Sequence, residues 1–359
     1  MSVTLKSGDI LGGRYSVNEL IGEGGMQFVY SAHDVTMDRR VALKTPKNSS
    51  GAKRFKRSAI LSAKITHPYV AKTLDYFEED GAQFLIEELI DGDDLQTAIV
   101  RRLKFVDPFL AAKILHCVAK GLAASHRAGV VHRDIKPSNI MVSGSYSAKV
   151  IKITDFGIAK MAEEELAEAV DGGMESITGS KTMVGALPYM APEMIDNPRA
   201  AGSPSDVWAI GALLYELMCG KKPFGTGLRA VPNILAAIAP KKPDFLSANS
   251  QFAPLANELF AIIINCLKKD QGERLTADEL VQRCNLLCYY DAERRTGYVN
   301  NIKFSYGFIT DEATGAGVFY NTKNVYGDLP KVSERVCFSA FKGGGSDRAY
   351  PVVLLNVDD

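Results

Sequence analysis

Two aspartates and an asparagine stand in segments whose residue types suit metal and phosphate chemistry. Asp134 and Asn139 lie five positions apart in His-Arg-Asp134-Ile-Lys136-Pro-Ser-Asn139, and Asp155 begins Asp155-Phe-Gly. Carboxylate and amide oxygens are the hard ligands that Mg²⁺ prefers. Lys136 adds a positive charge two residues after Asp134. Together these groups could neutralise phosphate oxygens and take a proton from a hydroxyl.

A glycine-rich turn and a lysine upstream could hold the phosphates. The turn Gly22-Glu-Gly24-Gly25-Met-Gln-Phe-Val29 follows a strand-like run, and glycines let backbone amides approach phosphate oxygens closely. Lys44 ends the apolar run Val-Ala-Leu-Lys44, fifteen residues after Val29. Taken alone, the glycines are more typical of a plain hairpin. The four segments in this order are far more specific.

Two lobes are predicted to position these segments. Residues 11–90 alternate turns with short strand-like runs. These are Tyr15–Ile21, Phe28–Ala32, Val41–Lys44 and Phe84–Leu89, with one helix-like stretch at Ala52–Ile65. From Pro108 onward apolar residues recur three and four apart, which predicts buried helical faces. Further helical patterns lie at Ser205–Met218, Leu255–Leu267 and Ala277–Leu287. The pattern predicts a strand-rich first lobe and a helical second lobe.

Residues 296–359 become strand-like again. Apolar runs separated by turn-rich segments lie at Val299–Phe304, Tyr306–Ile309, Val318–Tyr320, Val336–Phe338 and Val352–Leu355. We therefore predict a domain boundary near 290–296, with one domain over 10–290 and a second over 296–359.

Composition limits the function classes. The 359 residues include 42 Lys+Arg and 42 Asp+Glu, a net charge of zero that argues against a generic polyanion binder. No segment supplies the roughly 20 apolar residues that span a bilayer, and the first ten residues do not resemble a signal peptide. The six cysteines form no CxxC pair and do not cluster with histidines at zinc spacing. A reduced, cytoplasmic protein is expected.

Residues 10–290 resemble a protein kinase, most closely the bacterial Ser/Thr kinases related to the eukaryotic ones. The glycine turn, the strand lysine, the Asp134 octapeptide and the Asp155 segment all match in order. The resemblance implies an α+β two-lobed kinase fold, ATP and Mg²⁺ as cofactors, and transfer of the γ-phosphate to Ser/Thr hydroxyls of proteins. It also implies that Glu193 pairs with Arg274, and that Asp206 braces the catalytic loop.

The resemblance assigns roles residue by residue. Asp155 and Asn139 would hold Mg²⁺, Lys44 the α- and β-phosphates, Lys136 the γ-phosphate, and Asp134 the attacking hydroxyl. Val29, Ala42 and Met141 would sandwich adenine, while the hinge backbone at Glu88 and Ile90 would contact its edge. The full nucleotide-binding set is Ile21, Gly22, Gly24, Gly25, Val29, Ala42, Lys44, Glu87, Glu88, Ile90 and Met141.

Three positions depart from the kinase pattern. Gln27 replaces the third glycine of the loop. Ser58 stands where a helix glutamate normally pairs with the strand lysine, so we hypothesise that Glu87 supplies the missing carboxylate to Lys44. The alternative is a register shifted by one residue, with Glu87 in solvent. Ala186 replaces a threonine near the catalytic Asp, and with Ser58 it keeps open a second interpretation, a non-catalytic pseudokinase scaffold.

The activation segment carries candidate phosphorylation sites. Thr178 and Ser180, with Ser176 and Thr182 as neighbours, match positions where related bacterial kinases autophosphorylate. A phosphate there could pair with Arg133 and order the segment.

Residues 296–359 resemble a cold-shock domain, a five-stranded OB-type barrel. Tyr306, Phe308 and Phe319 fall where that family stacks bases of single-stranded RNA or DNA. Asn301 and Asn321 replace a tryptophan and a histidine of the family, and the segment holds six Lys+Arg against seven Asp+Glu. The alternative is a barrel that packs on the kinase or binds protein. The protein substrate, the activating signal and homodimerisation stay open.

Overall fold

The computed structural model describes residues 4–24, 27–47, 52–156, 185–197 and 200–356. It contains a strand-rich first lobe, a helical second lobe and a closed five-stranded barrel, which confirms the predicted fold class. No helix within the described ranges has the length and apolar character needed to cross a bilayer.

The first lobe is a six-stranded antiparallel sheet with one helix. Its strands are β1 (Ile10–Leu11), β2 (Tyr15–Glu23), β3 (Gln27–Asp34), β4 (Arg39–Pro46), β5 (Thr73–Glu79) and β6 (Ala82–Glu88), in the order β1-β2-β3-β4-β6-β5. The helix α1 (Ala52–Ser62) ends three residues before the predicted Ile65. Strand β5 was not predicted because none of its residues is buried, so its sequence lacks apolar alternation.

The second lobe is built on helices around one apolar core. Its helices are α2 (Pro108–Arg127), α3 (Pro192–Asp196), α4 (Ser203–Cys219), α5 (Val231–Ala236), α6 (Phe245–Ala248), α7 (Ala253–Cys266) and α8 (Ala277–Leu286). The Asp107 side chain caps α2 by accepting from the backbone amides of Phe109 and Leu110. Helix α4 is apolar on every side and buried along most of its length, so it forms the centre of the lobe.

A small three-stranded sheet lies in the second lobe. It comprises β7 (Asp93–Asp94), β8 (Ile140–Ser143) and β9 (Val150–Ile153), with a π-helix at Gln96–Val100 following β7. Strands β8 and β9 pair antiparallel with Ile140 opposite Ile153. This register brings the residues before β8 and after β9 to the same end of the two strands, and Asn139 and Asp155 lie there.

The remaining strands form the barrel. They are β10 (Arg295–Ile302), β11 (Tyr306–Asp311), β12 (Gly317–Asn321), β13 (Val325–Tyr326), β14 (Arg335–Phe341) and β15 (Arg348–Leu354). The order is β12-β11-β10-β14-β15-β13. Parallel pairing of Phe319 with Arg348 joins β12 to β15 and closes the five-stranded barrel, and the two-residue strand β13 pairs with β15 beside it. The inside is filled by apolar side chains such as Val299, Ile309 and Phe338.

The barrel shares an apolar core with the second lobe. Tyr326, Val353 and Leu355 are buried in the same cluster as α2, α4 and α7. The Tyr326 ring lies 5.3 Å from the ring of Phe252 and 5.8 Å from that of Phe245. The predicted boundary near 290–296 falls in the connection between α8 and β10, but the packing continues across it.

Candidate active site

Helix α4 holds the loop that carries Asp134 in place. Asp206, in the first turn of α4, is fully buried, and its carboxylate accepts hydrogen bonds from the backbone amides of His132 (2.8 Å) and Arg133 (2.5 Å). His126 Nε2 lies 2.8 Å from the same carboxylate. The structure confirms that Asp206 braces this loop. Arg133 adopts a left-handed backbone conformation there, with φ of 66°.

Asp134 forms a compact cluster with two side chains of the same loop. Lys136 Nζ lies 2.9 and 2.7 Å from the two carboxylate oxygens of Asp134. Asn139 Nδ2 donates to Asp134 Oδ2 at 2.8 Å and to the backbone oxygen of Asp134 at 2.7 Å. These contacts fix the orientation of the carboxylate while about a fifth of its side chain stays exposed. The cluster can therefore meet a substrate hydroxyl.

Lys44 lies between two carboxylates. Its Nζ is 2.6 Å from Glu87 Oε2 and 2.7 Å from Asp155 Oδ1. The strand register explains the first contact, because Ala42 pairs with Glu87 and Lys44 with Leu85, which places Lys44 and Glu87 diagonally on one face of the sheet. Glu87 is buried, so the alternative of a solvated Glu87 is wrong. The ion pair that the hypothesis requires is present.

One ammonium cannot balance the two carboxylates equally, because Glu87 is buried while the Asp155 side chain is 24% exposed. Burial and the neighbouring charge of Asp155 raise the pKa of Glu87 above its ordinary value, despite the attraction of Lys44. Burial would also raise the pKa of Asp155, but the charge and hydrogen bond of Lys44 lower it. Burial opposes protonation of Lys44, yet its two partners raise its pKa. Asp155 is therefore the carboxylate whose ionised form the site favours, which suits binding of a cation.

Ser58 has a different contact from the glutamate it replaces. It is buried on α1, and its hydroxyl donates to the backbone oxygen of Phe156 at 2.6 Å. Helix α1 is thus joined to the residue that follows Asp155 by a neutral hydrogen bond. Helix α1 supplies no carboxylate to Lys44, and Glu87 in β6 supplies it instead.

A cleft of about 730 Å³ opens between the lobes beside these groups. Of the predicted site residues, it is lined by Gly22, Gly24, Val29, Asp134, Lys136, Asn139 and Asp155. Asp94, Arg101, Tyr189 and Lys222 also line it and were missed, because nothing in their local sequence marks them as facing a cleft.

The remaining predicted nucleotide contacts stay predictions. Ala42 is buried, Met141 and Ile90 are half-buried, and Ile21 is exposed. The Glu88 carboxylate forms an ion pair with Lys152 at 2.6 Å. Gly25 and the candidate phosphorylation sites Ser176, Thr178, Ser180 and Thr182 lie outside the described residues.

The donor set suits magnesium. Asp155 offers a carboxylate and Asn139 an amide oxygen, both hard ligands, at the same edge of the β8–β9 sheet. The Asp155 carboxylate, whose pKa is lowered by Lys44, adds an electrostatic reason for a divalent cation to bind here. The residues present therefore fit the metal that the resemblance implies.

A structural ion pair supports the segment after the cleft. Glu193 accepts from Arg274 Nη1 at 2.6 Å and from Arg274 Nη2 at 2.8 Å, and both residues are buried. The Arg274 guanidinium also lies 5.0 Å from the centre of the Trp208 ring. The predicted pairing is confirmed.

The three candidate base-stacking residues come together on the outside of the barrel. The ring of Phe319 lies 5.6 Å from that of Tyr306 and 5.8 Å from that of Phe308. Tyr306 is 37% exposed and the other two are partly exposed, so they lie on the outer face and not in the barrel core. Arg348 lies opposite Phe319 on the neighbouring strand.

Known proteins match the first two lobes. The protein kinase domain family matches residues 15–284. A probable serine/threonine-protein kinase of Corynebacterium efficiens is 32% identical over 290 residues, covering 77% of this chain and 42% of that protein. The serine/threonine-protein kinase PknA of Corynebacterium glutamicum is 32% identical over 279 residues, covering 74% and 54%. The chain thus spans about half the length of these relatives, or less, and the barrel lies outside the family match.

Proposed function

The chain belongs to the protein kinase family, and from this premise we propose that it transfers the γ-phosphate of ATP to serine or threonine hydroxyls of a protein substrate. The observation that carries the proposal is the cluster of Asp134, Lys136 and Asn139 facing the same cleft as Asp155. Protein kinases of this family use ATP with Mg²⁺.

Each residue of the site would have its own role in phosphate transfer. Asp134 orients the substrate hydroxyl and accepts its proton at a carboxylate oxygen, a contribution of about 10²–10⁴-fold in rate. Lys136 holds that carboxylate and carries a positive charge toward the transferred phosphate. Asn139 and Asp155 would hold Mg²⁺, which supplies charge neutralisation on the phosphate oxygens. Lys44, fixed by Glu87, would hold the inner phosphates.

Ala186 leaves selection of the substrate hydroxyl to other groups. Its methyl side chain is buried and can neither donate nor accept a hydrogen bond. In this proposal the orientation of the hydroxyl depends on Asp134, which Lys136 holds in place, so substitution of Asp134 should strongly lower the rate of transfer.

Autophosphorylation is a further part of the proposal. The candidates are Ser176, Thr178, Ser180 and Thr182, with Arg133 as the cation that a phosphate would meet. Arg133 is held by a hydrogen bond from its Nη2 to the backbone oxygen of Ala201 at 2.9 Å, which keeps the guanidinium next to the catalytic loop. Phosphopeptide mapping of protein incubated with ATP should find phosphate in this segment. An unmodified segment in an active protein would contradict this part.

The transfer reaction is tested with γ-labelled ATP and Mg²⁺. Wild type should place acid-stable label on serine or threonine, and Asp155→Asn should not. Asp80→Asn is the matched control, because Asp80 is exposed in a turn and has a left-handed φ of 49° that asparagine tolerates. Absence of label from wild type would favour the alternative of a pseudokinase scaffold.

We propose single-stranded nucleic acid as the ligand of the barrel. The supporting observation is the exposed aromatic cluster Tyr306, Phe308 and Phe319, where stacking is worth about 1–3 kcal/mol per base. Since the barrel segment has no basic excess, stacking must supply more of the affinity than charge. A gel shift with short pyrimidine-rich strands should show binding by wild type and loss in the triple alanine variant. Equal binding by both, or by neither, would reject this surface.

A further inference from the structure

Gln27 reaches from the glycine loop to the metal-binding aspartate. It is the first residue of β3, stands where the third glycine is expected, and is only 7% exposed. Its Nε2 donates to Asp155 Oδ1 at 2.9 Å, across 128 residues of sequence. A glycine at this position could make no such contact.

The sheet register explains why this contact forms. Val29 pairs with Lys44 across β3 and β4, and Gln27 is two residues from Val29, so the side chains of Gln27 and Lys44 leave the sheet on the same face. Lys44 Nζ also donates to Asp155 Oδ1, at 2.7 Å. Two donors from adjacent strands therefore hold one carboxylate oxygen, and both of these hydrogen bonds go to Oδ1.

The other end of the Gln27 amide lacks a hydrogen bond. Gln27 Oε1 is buried and has no hydrogen-bond partner among the residues that the structure describes. A buried acceptor without a hydrogen bond is unfavourable, so such an atom beside a cleft indicates a site for a donor or a cation. Gln27 lines the same cleft as Asp155 and Asn139. A carbonyl oxygen is also a hard ligand of the type that divalent cations accept.

We propose that Gln27 is a positioning residue of the metal site. Its Nε2 fixes Asp155 Oδ1 and leaves Oδ2 for the cation, and its Oε1 would supply a further oxygen toward the divalent cation that arrives with the nucleotide. This inference rests on the proposed function, which supplies the nucleotide and the metal. It gives a role in the metal site to a residue at which this chain departs from the kinase pattern.

Substitutions at Gln27 separate the two roles of its amide. Gln27→Met keeps the length of the side chain and removes both polar atoms. Gln27→Glu keeps an oxygen but replaces the donor with a negative charge beside Asp155. The matched control is Gln83→Met in β6, because Gln83 also has a buried Oε1 without a partner among the described residues and does not line this cleft.

The test is binding of Mn²⁺, followed by electron paramagnetic resonance, to the full chain with a non-hydrolysable ATP analogue. Gln27→Met should weaken Mn²⁺ binding by about 10–100-fold, the usual effect of losing a group that positions a ligand. Affinity for the metal-free analogue should stay close to that of wild type, because both of the lost polar atoms act on the metal site. Gln27→Glu should bind Mn²⁺ more tightly than Gln27→Met, and Gln83→Met should match wild type.

Two failures are distinguishable in this experiment. If wild type binds nucleotide and Mn²⁺, and both Gln27→Met and Gln27→Glu bind Mn²⁺ as tightly as wild type does, the inference about Gln27 is overturned and the proposed function stands. If wild type binds neither probe, the proposed function fails and the inference fails with it. Thermal unfolding of each variant shows whether a loss of binding reflects loss of the fold.

Discussion

Because Glu87 and Lys44 form an ion pair, we predict that the substitution of Glu87 lowers activity without lowering stability. Glu87→Gln keeps the shape of the side chain and removes its charge. Lys44 then keeps only Asp155 as a charged partner, at 2.7 Å. The ammonium is free to shift toward Asp155, away from the position in which Glu87 holds it.

The expected loss of activity follows from one charge-assisted hydrogen bond. Such a bond contributes about 1.5–3 kcal/mol, which corresponds to about 10–150-fold in kcat/KM for ATP. Stability should change in the opposite sense. The raised pKa of Glu87 means that the folded state binds more protons than the unfolded state above the ordinary value of 4.5, so ionisation of Glu87 costs stability as the pH rises.

The assay combines steady-state kinetics with thermal unfolding from pH 5 to pH 8. Glu87→Gln should lose 10-fold or more in kcat/KM, as estimated from that bond, while its Tm at pH 7 equals or exceeds that of wild type. Glu258→Gln, on the exposed surface of α7, is the control and should change neither quantity. A variant with wild-type kinetics would refute the role of Glu87. A variant whose activity falls only in proportion to a lower Tm would show a merely structural role.

Two further predictions concern packing and charge. Tyr326→Ala should lower the free energy of unfolding by about 3–5 kcal/mol, because Tyr326 is buried in the core of the second lobe. Calorimetry should show a single transition that includes the kinase lobes, and separate transitions would argue against a shared core. The control is Phe304→Ala, which should have little effect because Phe304 is exposed. Asp34→Asn should cost about 2 kcal/mol at pH 7, since the hydrogen bond from Arg14 lowers the pKa of buried Asp34 from 3.8 to about 2. That stability is present above pH 3.8 and is lost toward pH 2, so a denaturation series in which the cost of Asp34→Asn does not shrink by pH 3 would contradict the assignment.

Sequence reasoning succeeded where residue type and short spacing carry the chemistry. Asp134, Lys136 and Asn139 are close in sequence, and their contacts follow from one loop. The Lys44–Glu87 pair was predicted from the missing helix glutamate at Ser58, and the pairing of β4 with β6 places the two side chains on one face of the sheet. In each case local geometry limits the answer to a few arrangements.

Contacts between distant segments could not be predicted in this way. Gln27 was identified as a departure from the glycine pattern, but its hydrogen bond to Asp155 depends on how the two lobes face each other. Tyr326 lies in a two-residue strand that was not predicted, because so short a segment has no apolar pattern. Its partners, Phe245 and Phe252, are set by tertiary packing, which has no sequence period.

The most direct test of the central claim is phosphate transfer by Asp134→Asn. If Asp134 accepts the proton of the substrate hydroxyl, kcat should fall by about 10²–10⁴-fold while the affinity for ATP, whose predicted contacts lie elsewhere in the cleft, stays unchanged. Wild type must transfer label from ATP to serine or threonine in the same assay. Wild-type protein that binds ATP without transferring phosphate, or an Asp134→Asn variant that transfers it at the wild-type rate, would contradict the account.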